Sequence, residues 1–127
     1  MKISITSSKG SGKTEAFLEK IVGEEYTKGI DALAQAGVNN LIAATPKDSG
    51  VTAESWDYDI QRIKNGFRIM WTNDSLDANG TPIVILLQYG HATKDGGWIE
   101  GRDFINPALE PIMDALEQYV WEGVTRA

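Results

Sequence analysis

The sequence predicts an α+β fold in a single domain spanning residues 1–127: an antiparallel sheet of three to four strands, with two N-terminal helices and one C-terminal helix packed on it. Three observations carry this. The residue patterns run strand, helix, helix, three strands, helix, so helices and strands are segregated along the chain. The three later strands are consecutive, and Asn65-Gly66 between the first two is a hairpin dipeptide whose residues tolerate positive φ. Strands joined so tightly argue against a doubly wound parallel sheet. The length of 127 residues suits one domain that buries about two thirds of its unfolded surface.

Taken in order, residues 2–6 alternate polar and apolar, a short strand. Residues 7–12 are rich in Ser and Gly and form a loop. Residues 14–22 place Phe17, Leu18, Ile21 and Val22 on one helical face, and Gly23 ends that helix. A longer helix covers 24–44, with Tyr26, Ile30, Leu33, Gly37 and Leu41 in a stripe that Val38 and Ile42 widen. Gly29 and Gly37 weaken it by roughly 1 kcal/mol each relative to alanine. Gly37 lies on the apolar stripe, so another element approaches closely there. Pro46 stops the helix by forcing Thr45 toward an extended conformation.

Residues 46–50 form a turn. Trp56, Tyr58 and Ile60 alternate with Asp57, Asp59 and Gln61, a half-buried strand that returns over 67–72. Residues 74–80 make a polar loop. Residues 82–89 are almost wholly apolar and read as a strand buried on both faces. The last helix starts at Pro107 with Asn106 as its N-cap, and Pro111 lies close enough to that start to be tolerated. Leu109, Ile112, Met113, Leu116 and Val120 form its core face; Glu110, Asp114, Glu117 and Glu122 lie off it.

Hydrophobic residues make up 42% and charged residues 24%, a globular composition. With no cysteine, disulfides and thiolate metal sites are excluded. A net charge of -6 argues against duplex DNA binding through a basic face. No apolar run approaches the roughly 20 residues that span a bilayer, and the first residues are too short and too alternating for a signal peptide. The expected place of synthesis and use is the cytoplasm.

Candidate chemistry is sparse. Ser7-Ser8-Lys9-Gly10-Ser11-Gly12-Lys13-Thr14 looks like a phosphate-binding loop, in which backbone N–H groups would cradle phosphates, Lys13 would reach the terminal ones and Thr14 would hold magnesium. Ser7 stands where that motif wants its first glycine, and no second apolar strand ends in a magnesium-binding aspartate. The plain reading is a Ser/Gly loop before a helix. His91, the one histidine, has no triad partners, and the plain reading is a loop residue hydrogen-bonded to nearby backbone. Asp95, Glu100 and Asp103 match no calcium or zinc spacing. Asp57 and Asp59 could be paired acids, yet they alternate with aromatics as a solvated strand face does. Arg102 and Asp103 make either a local ion pair or a contact across a subunit boundary. Trp56 and Trp71 fall on strand positions and belong to the core. Trp98 and Phe104 lie in a Gly-rich loop among polar residues, where aromatics anchor partners.

Three segments resemble one family. They are Ala44-Thr45-Pro46-Lys47-Asp48-Ser49-Gly50 followed by Ser55-Trp56; Gln88-Tyr89-Gly90-His91; and Gly101-Arg102-Asp103-Phe104-Ile105-Asn106-Pro107-Ala108. In this order they are similar to the head–tail joining, or tail-completion, proteins of long-tailed bacteriophages and prophages, also labelled minor capsid or neck proteins. The resemblance implies a small α+β fold that forms a ring in the assembled neck, with no enzymatic activity and no cofactor. Its partners would be further copies of itself, the head-side connector or adaptor proteins, and the tail terminator or tube. Such a protein resides in the virion and assembles in the host cytoplasm. Acidic walls would let the genome slide past without specific binding.

The expected contact region is the loop from 90 to 106, with Gly90, His91, Trp98, Arg102, Asp103, Phe104 and Asn106, and Trp98, Arg102 and Phe104 foremost. Lys47 and Asp48 in the loop from 46 to 52 come second. Phe104→Ala or Arg102→Ala is expected to leave the monomer folded and block joining. Two alternatives stay open: a small nucleotide-binding protein using residues 7–14, and a tail terminator.

Overall fold

A computed structural model describes residues 2–7, 24–46, 50–63 and 66–125. The expected first helix, the phosphate-loop motif beyond Ser7, Lys47, Asp48 and Asn65 lie outside them. The described elements are β1 (Lys2–Ser7), α1 (Glu24–Ala44), the single-turn α2 (Val51–Glu54), β2 (Trp56–Ile63), β3 (Gly66–Asn73), α3 (Ile83–Tyr89), β4 (Gly90–Ala92), β5 (Trp98–Glu100) and α4 (Ile105–Thr125). The fold is α+β.

The main sheet has the order β1-β3-β2, with both pairings antiparallel. Trp71 of central β3 stands opposite Ile3 on one side and Tyr58 on the other. The β2–β3 ladder runs from Trp56 opposite Asn73 to Ile63 opposite Gly66. Along β3, Phe67, Ile69, Trp71 and Asn73 are buried on one face. Helices α1 and α4 cover that face: Ile30, Ala34, Val38 and Leu41 from α1 meet Leu109, Ile112 and Leu116 from α4 in one cluster. Each such valine, leucine, isoleucine or phenylalanine side chain contributes about 1.5–3 kcal/mol when fully buried.

Gly37 fulfils the expected close approach. A Cβ there would lie 2.7 to 2.8 Å from the Trp71 indole. The same indole donates from Nε1 to the Ala34 carbonyl at 2.9 Å, which locks β3 to α1. Helix α1 ends at Ala44, as Pro46 requires. There the Thr45 hydroxyl donates to the Leu41 carbonyl at 2.6 Å and accepts from Trp56 Nε1 at 2.8 Å. Trp56 and Trp71 are both core residues.

Two expectations fail. Residues 83–89 are a helix, not a strand. Val84 and Gln88, one turn apart, face inward, while Ile85 and Tyr89 are exposed. The sheet offers α3 no place beside its central strand, because β3 is already paired on both sides. A short helix pairs part of its backbone internally, the Ile83 N–H donates to the Ser75 carbonyl at 3.0 Å, and this outweighs the strand preference of Ile83, Val84 and Ile85. Helix α4 also starts earlier than Pro107, at Ile105, and Asn106 is not its cap. Pro111 therefore falls inside the helix, and Met113 is exposed rather than part of the core face.

Candidate docking surface at the β4–β5 hairpin

Helix α3 runs directly into β4 at Gly90, whose φ of 84° is a conformation that side-chain-bearing residues rarely adopt. A side chain at this point would also meet the Ile99 carbonyl at 2.6 Å and the Trp98 ring at 3.0 Å. The glycine thus lets the chain reverse and the hairpin fold back over the end of α3. β4 and β5 pair antiparallel, with His91 opposite Ile99 and Ala92 opposite Trp98. The tip closes through Thr93: its N–H donates to the Gly97 carbonyl at 3.0 Å, and its hydroxyl accepts from the Gly97 N–H at 3.0 Å.

This frame displays apolar side chains. Tyr89 is 67% exposed, Trp98 58% and Ile99 50%. Trp98 lies over Gly90, so one edge of the ring rests on backbone while the rest faces solvent. Rigid backing of this kind lowers the entropy lost when an aromatic docks.

The base of the hairpin is pinned by Gln88, a buried side chain that hydrogen-bonds in three directions. Its Oε1 accepts from the N–H groups of Phe104 at 3.1 Å and Ile105 at 3.2 Å. Its Nε2 donates to Asp103 Oδ1 at 2.7 Å. Asp103 in turn accepts from the Asn106 N–H and from Asn106 Nδ2, each at 3.2 Å. Together Gln88 and Asp103 satisfy three otherwise orphan donors at the start of α4. The hydrogen bond from Gln88, followed by those from Asn106, holds the Asp103 carboxyl below its ordinary value of 3.8.

Arg102 and Asp103 turn to different partners, so of the two readings left open by the sequence the local ion pair is not formed. The Arg102 N–H donates to the Leu87 carbonyl at 3.0 Å, and its guanidinium donates to the Ala44 carbonyl at 3.1 Å. A cation at the last carbonyl of α1 is well placed against the helix dipole. His91 does not bond nearby backbone as expected: its Nδ1 is shielded and has no hydrogen-bond partner.

The structure therefore brings Gly90, His91, Trp98, Arg102, Asp103 and Asn106 into one region. It removes Phe104 from the candidate contacts. Phe104 is only 3% exposed and belongs to the core cluster, because α4 begins right after it and draws the ring inward. Tyr89 and Ile99 are exposed in the same region, and the sequence did not single them out as candidates. Gln88 was the one polar residue in an otherwise apolar run, and that was the available signal for a buried anchor.

Among the described residues, no group of three or more His, Asp or Glu side chains could hold a metal ion, and no helix is long and apolar enough to cross a membrane. Asp57 and Asp59 are exposed on one face of β2, as a solvated strand face requires. Compared with models of known families, with curated proteins and with solved structures, the chain has no significant match.

Proposed function

We propose that this chain is a virion structural protein at the head–tail interface of a long-tailed bacteriophage, a tail-completion or neck component that works by oligomerising and docking. The observation that carries this reading is the display of Tyr89, Trp98 and Ile99 on a hairpin whose base is tied down by Gln88, Asp103 and Arg102. Large apolar side chains held out on a rigid frame suit anchoring in a partner's pocket. The three segments that resemble the head–tail joining family add to it, since two of them build this same region.

In this reading the chain joins further copies in a ring and meets the head-side connector or adaptor on one side and the tail terminator or tube on the other. It resides in the virion neck and assembles in the host cytoplasm. The net charge of -6 disfavours adhesion to the passing genome. The test is electron microscopy of particles assembled without this chain. Filled heads and separate tails should accumulate, and supplying the chain should join them. Intact virions in its absence would refute the proposal.

A further inference from the structure

Helix α4 carries a second exposed anchor, away from the hairpin. Trp121 is 63% exposed. At about 3.6 residues per turn it lies on the far side of the helix from Leu109, Ile112 and Leu116, which are buried in the core. Glu117 stands one turn before it, Asp114 about two turns before it and Glu110 about three, all exposed. Met113 flanks this stripe and is exposed as well. The helix contains no Lys, Arg or His along its length. A large indole thus stands at the end of an exposed line of carboxylates with no basic residue in the same helix.

We propose that this stripe docks a basic protein segment, with an arginine stacked on Trp121 and its neighbours paired to Glu117 and Asp114. The charge complementarity selects the occupant. An indole face attracts a cation, and a guanidinium combines stacking with forked hydrogen bonding to carboxylates. The same carboxylates repel nucleic acid and anionic lipid headgroups. The proposal is independent of the head–tail reading, because it uses neither the hairpin nor the family resemblance.

The test uses the full chain and a peptide alternating arginine with leucine, beside a counterpart carrying glutamate in place of arginine. The arginine peptide should bind, with affinity falling as salt rises, and the glutamate peptide should not. Trp121→Ala and Glu117→Lys should each weaken binding by about tenfold. Glu100→Lys, which changes the net charge by the same amount at the hairpin, should leave it unchanged. Circular dichroism should show all three variants folded, since these side chains are exposed. Equal weakening by Glu100→Lys and Glu117→Lys would reduce the effect to net charge and overturn the proposal, as would unchanged affinity in Trp121→Ala. Self-association abolished by Trp121→Ala in sedimentation would assign the stripe to a second copy, and Trp121-dependent binding to phosphatidylcholine vesicles would assign it to a lipid surface. Either result also overturns it.

Discussion

The indole of Trp71 leaves no room for a side chain at Gly37. Alanine is normally the better helix residue by about 1 kcal/mol. Here its methyl would press on a ring that is fully buried and held by a hydrogen bond to Ala34. Overpacking a rigid core costs about 1–3 kcal/mol, so the clash outweighs the propensity gain. Gly37→Ala should therefore lower the urea midpoint, and the loss should shrink in a Trp71→Phe background, where the ring is smaller. An unchanged or raised midpoint in the single variant would contradict this packing. Gly37 was legible because a glycine on the apolar stripe of a long helix sacrifices helix propensity, a loss that only a bulky neighbour needing the space would offset. Phe104 was not legible. Its fate depends on where α4 starts, and that start is set by Gln88 and Asp103, not by the nearby Pro107.

At the scale of elements, the hairpin, α3 and α4 meet at one junction built from Gln88 and Asp103. A carboxyl whose folded value lies below its unfolded one stabilises the fold above the ordinary value. That contribution fades as pH falls through the lowered folded value. For Asp103 the window begins near its ordinary 3.8 and extends downward. Asp103→Asn should remove this dependence, so the stability gap between the native chain and the variant should narrow as pH drops through that window. Parallel curves in thermal denaturation would contradict the role given to Asp103. Helix α1 and the β2–β3 hairpin could be read from periodicity because each has one wet and one dry face along most of its length. Helix α3 could not. Seven nearly all-apolar residues show no period, and only the occupied edges of β3 and the donors of α4 select the helix.

For the whole molecule, the same short stretch of chain supplies both the core and the surface on which the proposed docking rests. Phe104 and Val84 face the core, while Tyr89, Trp98 and Ile99 face outward. Large-to-small substitution in a core costs about 3–5 kcal/mol for phenylalanine, so Phe104→Ala should destabilise the chain and is no test of a contact. Its exposed neighbours are a test, because exposed substitutions usually change stability by at most about 0.5 kcal/mol. The candidate surface was only partly legible for this reason: the sequence pattern singled out an aromatic-bearing loop, but packing decided which of its aromatics turned out to solvent.

The most direct measurement is therefore the Tyr89→Ala/Trp98→Ala double variant, purified, checked for unchanged thermal stability, and added to separated heads and tails. Its melting temperature should stay close to that of the native chain, and joined particles should be lost under the electron microscope. Normal joining by a folded double variant would contradict the docking role given to the hairpin.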